Sequence, residues 1–141
     1  MRKNDGFTLI ELLVVILILS LLVAIVAPRI LGRTDEARKT AAQVQIKQLE
    51  GALNLFRLDN GFYPTTEQGL EALVTKPTIS PIPLKWREGG YIAKVPVDPW
   101  GKPFVYLCPG THGEFDLVSY GADGELGGET KDEDIQSWNI Q

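Results

Sequence analysis

The chain has 141 residues, with 14 lysines and arginines against 18 aspartates and glutamates, and a formal net charge of −4. This length suits one domain rather than two, and the negative balance gives little electrostatic support for binding nucleic acid. A single cysteine excludes a disulfide framework within the chain.

Apolar residues are concentrated near the start of the chain. In residues 7–27 only Thr8, Glu11 and Ser20 are not apolar. As a helix, this segment would reach about 30 Å, which is enough to cross a hydrocarbon core. It is too long for a conventional signal peptide and ends without a good cleavage site. The sequence therefore predicts a single membrane-spanning helix.

Glu11 is the unusual residue of this segment, because a carboxylate in hydrocarbon is costly unless it is neutral or paired. One interpretation is that Glu11 lies near the headgroups and snorkels toward them. The other gives it a cationic partner. A cut between Gly6 and Phe7 would create an α-amino group four residues away, on this chain or on a neighbour.

Residues 6–11, Gly-Phe-Thr-Leu-Ile-Glu after a short basic leader, resemble the processing signal of type IV pilins and pseudopilins. The resemblance implies that residues 1–6 are a leader and that a prepilin peptidase cuts after Gly6. It also implies that Phe7 becomes N-methylated and that Glu11 pairs with a neighbouring subunit's terminus. Basic residues after the span outnumber those before it, so the implied orientation depends on the leader motif rather than on the charge rule.

Beyond Pro28 the chain becomes polar but keeps helical spacing. Apolar residues recur at steps of four and three, which places them on one helix face. They are Ala42, Ile46, Leu49, Leu53 and Phe56. The pattern predicts one helix over residues 7–58, with Pro28 and Gly32 as weak points, ended by Asn60 and Gly61. We interpret the stripe as the core seam of a folded head.

The rest of the chain is typical of a small head with short elements. Thr65 and Gln68 have the spacing of a capping box, which predicts a short helix after them. Residues 104–107 and 115–120 are predicted strands joined by a hairpin-like connection. Asp98 is expected to cap a turn, and Trp100 to cover the helix. The predicted fold class is therefore α+β, with a long helix packed on a small antiparallel sheet in residues 28–141.

The last part of the chain is acidic and rich in glycine. From residue 114 onward there are eight acidic residues and one basic residue, Lys131. Such a run is often a solvated surface. Carboxylates and carbonyls crowded on glycine turns also suit Ca²⁺. Trp138 and Ile140 follow the acids and are expected to pack, which favours an ordered segment.

Three further segments carry a closer resemblance, in order along nearly the whole chain. Residues 63–73, 96–103 and 119–124, followed by Asp134 and Trp138, resemble the major pseudopilins of the type II secretion system. In that family the last loop binds one structural Ca²⁺, and the fold is pilin-like, with the first half of the long helix in the membrane.

The resemblance also implies which oxygens bind the calcium. The implied ligands are the Asp123 side chain, the side chain of Asp134 or Asp132, and the backbone carbonyls near Tyr120 and Glu125. The chain has Glu133 where the family usually has a small residue. Both Asp132 and Asp134 therefore stay open as the second carboxylate ligand.

The function implied is that of a non-enzymatic structural subunit. It would sit in the bacterial inner membrane, in contact with lipid, with its head in the periplasm, and would polymerise with itself into a pseudopilus. Implied partners are minor pseudopilins, the prepilin peptidase, an inner-membrane assembly platform with its ATPase, and the outer-membrane secretin through which folded exoproteins leave.

The alternatives are a surface-fibre type IV pilin and an enzyme. Major pilins of Gram-negative bacteria usually close their C-terminal region with a disulfide, which this chain cannot form within itself. An enzyme would have to use Cys108 and His112, and nothing in the sequence supplies the missing ligands or an orienting acid in a recognisable context. We therefore expect no catalysis.

Overall fold

The structure is a computed structural model and describes residues 6–140. Within this range it contains one α-helix, three short strands and three short 3₁₀ helices. The helix α1 spans Leu9–Asn60, and the strands are β1 (Val105–Leu107), β2 (Asp116–Ser119) and β3 (Ile135–Gln136). The 3₁₀ helices span Leu70–Leu73, Thr130–Asp132 and Ser137–Asn139.

Helix α1 begins two residues later and ends two residues later than the predicted range of residues 7–58. It continues without a break through Pro28 and Gly32. Proline removes only one backbone N–H donor, so at most one hydrogen bond of the helix is lost at Pro28. Gly61 has φ of +84° and donates its N–H to the Arg57 carbonyl at 2.6 Å, which closes the last turn as predicted.

The chain divides into two compact units, one through Glu36 and one beginning at Ala37. The first unit contains Leu9–Ala27, the one segment of the described residues that is long and apolar enough to span a membrane. The large apolar side chains from Leu9 to Val26 are 47% to 79% exposed. Among the described residues of this unit nothing covers this surface, as expected for a helix that contacts lipid or other subunits.

The second unit has its core along the predicted seam of α1. All five seam residues from Ala42 to Phe56 are at most 1% exposed, so the seam prediction is confirmed. Buried residues from later in the chain complete the core. They include Leu70, Leu73, Phe104, Tyr106, Leu117 and Ile135.

The sheet of the second unit is small and antiparallel, in the order β1-β2-β3. Tyr106 pairs with Leu117, and Val118 pairs with Gln136. Both predicted strands are confirmed with narrower bounds. The third strand was not predicted, because β3 has two residues and therefore carries no readable alternation.

The capping box at Thr65 and Gln68 is confirmed. The Gln68 N–H donates to the Thr65 hydroxyl at 3.2 Å, and the Thr65 N–H donates to Gln68 Oε1 at 3.1 Å. The element that follows is the 3₁₀ helix Leu70–Leu73, where the sequence predicted a short helix. Leu70 and Leu73 face the core as expected.

The seam can be tested with two leucines on the same helix. Leu53 is fully buried, whereas Leu58 is 80% exposed. We expect Leu53→Ala to lower the free energy of unfolding by about 2–5 kcal/mol, because it leaves a cavity in the core. Leu58→Ala should change it by less than about 0.5 kcal/mol. Urea unfolding of the full chain in detergent micelles measures both, and equal losses would contradict the assignment of the seam.

Candidate functional site

The amino-terminal motif begins just before α1. Gly6 and Phe7 precede the helix, and Phe7 is 86% exposed. Both sides of the predicted cleavage point therefore lie at the surface of the described chain.

Glu11 has a local partner that sequence reasoning missed. Its Oε2 accepts hydrogen bonds from the Thr8 N–H at 2.9 Å and from the Thr8 hydroxyl at 2.8 Å. The Glu11 N–H is 3.3 Å from the Thr8 hydroxyl oxygen, to which it donates. This is a capping box, and the spacing of Thr8 and Glu11 is its sequence signal. The same carboxylate therefore starts helix α1 and lies in the apolar segment.

The carboxy-terminal loop, defined as residues 120–134, follows β2 and returns to β3. Gly121 and Gly128 both have positive φ and bring the two halves of the loop into backbone contact. A Cβ on Gly121 would lie 3.0 Å from the Glu133 carbonyl oxygen, and one on Gly128 would collide with the Asp132 carbonyl oxygen. The tight wrap predicted from the glycines is present, and it places carbonyl oxygens against these turns.

The predicted calcium ligands lie on this loop, and their hydrogen bonds differ. Asp123 Oδ1 accepts from the Glu125 N–H at 3.1 Å, and the Tyr120 carbonyl accepts from the Gly124 N–H at 3.1 Å. Asp134 Oδ2 accepts from the Gly127 N–H at 2.9 Å. The other oxygen of Asp134, Oδ1, is buried and has no hydrogen-bond partner among residues 6–140.

The side chains do not by themselves form a metal cluster. Within the described residues, no three Asp, Glu, His or Cys side chains are grouped as metal ligands. A cation here would have to take part of its coordination from backbone carbonyls, which Ca²⁺ does readily. A buried carboxylate oxygen without a partner is costly, so Asp134 Oδ1 fits a bound cation.

Asp134 is also reached from solvent. It lines an open cavity of about 270 Å³ beside helix α1, together with Gly127, Lys39 and Glu133. Lys39 and Glu133 form an ion pair at 2.6 Å, which ties the loop to α1. The cavity brings solvent to one side of Asp134, whereas its Oδ1 stays buried.

A turn at residues 98–102 supports the loop. Asp98 is 3% exposed, and its Oδ1 accepts from the backbone N–H groups of Trp100 and Lys102 at 3.0 and 2.8 Å. The predicted cap is therefore present. Asp98 Oδ2 accepts from the Ser119 hydroxyl at 2.6 Å, and Lys102 Nζ donates to the Ala122 carbonyl at 2.8 Å. These last two bonds join residues about 20 positions apart, and local sequence patterns do not reveal them.

Cys108 and His112 have separate structural contacts. Cys108 Sγ lies 3.5 Å from the Glu114 carbonyl. The His112 ring stacks on Trp138 with centroids 3.7 Å apart, and its Nδ1 lies 3.0 Å from Asp116 Oδ2. Asp116 is thus the orienting acid that the sequence did not indicate. The arrangement fastens the chain terminus, and the expected packing of Trp138 and Ile140 is confirmed.

Asp116 is a buried carboxylate whose acceptor sites are used. It is 2% exposed and accepts hydrogen bonds from Thr111 and His112. Burial raises the pKa of Asp116, but the hydrogen bonds from Thr111 and His112 outweigh that effect and lower the pKa to about 2.

Two family profiles match the chain and together cover nearly all of it. Residues 29–138 match the type II secretion system protein G profile, and residues 1–27 match the prokaryotic N-terminal methylation motif. The second match falls on the processing motif described above.

Two curated relatives match over nearly their whole length. The chain is 53% identical over 138 residues to the type II secretion system core protein G of Pseudomonas aeruginosa, covering 98% of this chain and 97% of that protein. It is 52% identical over 141 residues to the Vibrio cholerae protein of the same name, covering 100% and 96%.

A solved structure is similar in fold. The crystal structure of the major pseudopilin from the type 2 secretion system of enterohaemorrhagic Escherichia coli matches with a TM-score of 0.70 and 43% identity. The match covers 78% of this chain and 94% of that one.

The pKa of Asp116 predicts a defined loss of stability in acid. Because its pKa is about 2 in the folded chain against an ordinary value of 3.8, its contribution is complete above about pH 4 and is lost as the pH falls toward 2. The full contribution is about 2 kcal/mol. Unfolding free energies measured from pH 5 to pH 2 should converge for the natural chain and Asp116→Asn. Parallel curves would contradict the lowered pKa.

Proposed function

Because this chain belongs to the protein G family of the type II secretion system, the major pseudopilins, we propose that it polymerises into that system's periplasmic pseudopilus. The observation that carries the proposal is the joining, in one chain, of an N-terminal methylation motif to a match with the protein G profile over residues 29–138. The family assignment makes it a structural subunit of protein secretion and favours this role over that of a surface-fibre pilin.

The proposed location is the inner membrane, with one span and the head in the periplasm. The exposed apolar side chains of Leu9–Ala27 support a segment that contacts lipid before assembly. We propose that the prepilin peptidase cuts between Gly6 and Phe7 and methylates the new amine. The same apolar segment then exchanges lipid for the helices of neighbouring subunits.

Glu11 is proposed to guide that exchange. Thr8 holds one carboxylate oxygen of Glu11 through two donors, which fixes the side chain at the start of α1. Thr8 remains in the chain after leader removal, so this geometry does not depend on the leader. A charged carboxylate in hydrocarbon gains most from a cation, and the Phe7 amine of a neighbouring subunit supplies one.

The partners proposed beyond the chain itself follow from the family. They are minor pseudopilins, an assembly platform with its ATPase that adds subunits, and the secretin through which folded exoproteins leave the cell. Cys108 and His112 have structural contacts, which supports a subunit without catalytic activity.

A structural Ca²⁺ is proposed for the carboxy-terminal loop. Asp134 is the favoured carboxylate ligand over Asp132, because Asp134 Oδ1 is the buried oxygen without a partner. Asp123 and the carbonyls of Tyr120 and Glu125 would complete the oxygen set. When bound, calcium supplies a divalent charge that neutralises nearby carboxylates and ties the two halves of the loop.

The role of Glu11 can be separated from its capping role. Loss of a buried ion pair costs about 3–5 kcal/mol, so Glu11→Ala should remain in the membrane while filament yield falls by more than about tenfold. Glu11→Gln can still accept a hydrogen bond from Thr8 but has no charge to form an ion pair with an amine. Its filament yield should therefore fall as much as that of Glu11→Ala. Ser20→Ala, a polar change in the same segment, is the control. Normal filaments from Glu11→Gln would rule out the pairing.

Removal of calcium should destabilise the head. A ligand at 100 times its Kd contributes about 2.7 kcal/mol, so a chelator should lower the Tm by several degrees. Asp134→Asn should abolish this difference, whereas Asp132→Asn should keep most of it. An unchanged Tm in chelator would contradict the proposal of a structural metal. The opposite behaviour of the two variants would make Asp132 the ligand in place of Asp134.

A further inference from the structure

Lys102 places a positive charge against the backbone of the carboxy-terminal loop. Its Nζ donates to the Ala122 carbonyl at 2.8 Å, and the side chain is partly buried. The aliphatic stem lies on Gly124, where a Cβ would be 2.9 Å from Cδ and Cε and would collide with Nζ.

The base of the Lys102 side chain is held firmly. The Lys102 N–H donates to Asp98 Oδ1, and the Lys102 carbonyl accepts from the Asp98 N–H at 2.7 Å. Asp98 also holds Ser119, the last residue of β2. The turn therefore holds the start of the loop at two points, at Ser119 through Asp98 and at Ala122 through Lys102.

The charge of the loop explains why a cation is useful at this point. Residues 120–134 contain six acidic residues and one lysine. Their mutual repulsion favours an open loop, and an ammonium bonded to a carbonyl opposes it with a charge-assisted hydrogen bond. Ala122 directly precedes Asp123, so the bond also fixes the backbone next to a proposed calcium ligand.

We propose that Lys102 is a built-in cation that keeps residues 120–124 in their metal-ready conformation without calcium. The loop would then pay little ordering entropy when the metal binds. We call the contacts of Lys102 with Asp98 and Ala122 the Lys102 clamp. Its role in preparing the loop for a metal rests on the calcium proposal, whereas the clamp itself depends only on these contacts.

Hydrogen exchange of the full chain in detergent micelles tests the clamp directly. In chelator, Lys102→Met should speed exchange of peptides covering residues 120–125 by about tenfold, because one charge-assisted hydrogen bond is lost. The Gly124 N–H, which donates to Tyr120, reports on the loop most directly. Exchange along the α1 seam should not change. Added calcium should restore protection to the variant.

Two matched variants complete the experiment. Lys94→Met removes an exposed lysine elsewhere in the head and should leave the loop unchanged. Lys102→Arg keeps the charge and should retain most of the protection. Unchanged exchange in Lys102→Met, or equally faster exchange along the seam, would overturn the proposal. If the variant loses protection and calcium does not restore it, the clamp stands and the calcium proposal fails.

Discussion

The apolar seam of α1 is the surface on which the rest of the head depends. The three strands contain three, four and two residues, so the sheet has few backbone hydrogen bonds of its own. A sheet this small needs an apolar surface to pack against. Tyr106 and Leu117, paired across β1 and β2, reach the seam, and Ile135 of β3 joins the same core.

Buried carboxylates with their hydrogen-bond donors supply order that so small a sheet cannot. Asp98 and Asp116 are both almost fully buried, and each accepts hydrogen bonds with both oxygens. A buried carboxylate is tolerated only with such partners. Asp134 differs, because one of its buried oxygens has no partner in the described chain. That difference is the observation on which the proposal of a cation at the carboxy-terminal loop rests.

The two functional regions use carboxylates in a similar way. Glu11 is held by Thr8 at the start of α1, and the carboxylates of the loop are held by backbone N–H groups. In each case local donors fix the geometry, and the proposed partner of the charge is a cation from elsewhere. The proposed cations differ, being the amine of a neighbouring subunit for Glu11 and a divalent metal for the loop.

Features that depend on the spacing of residues a few positions apart were predicted from the sequence. The seam, the capping box of Thr65 and Gln68, and the Asp98 cap are of this kind. The Thr8 and Glu11 box has the same spacing. It was missed because a charge in an apolar segment suggested the headgroups or an α-amino group as the partner of Glu11, and not Thr8.

The sequence by itself determined the long helix, its apolar segment, its seam and the motifs that identify the family. Only the tertiary structure decided β3, the bond between Asp98 and Ser119, the Lys102 clamp and the stack of His112 on Trp138. Each of these joins residues at least 16 positions apart. Helical periodicity and caps depend on residues within about four positions of one another, so a sequence pattern reveals them. Contacts between residues far apart along the chain depend on the folded head, which packs their segments on the same seam.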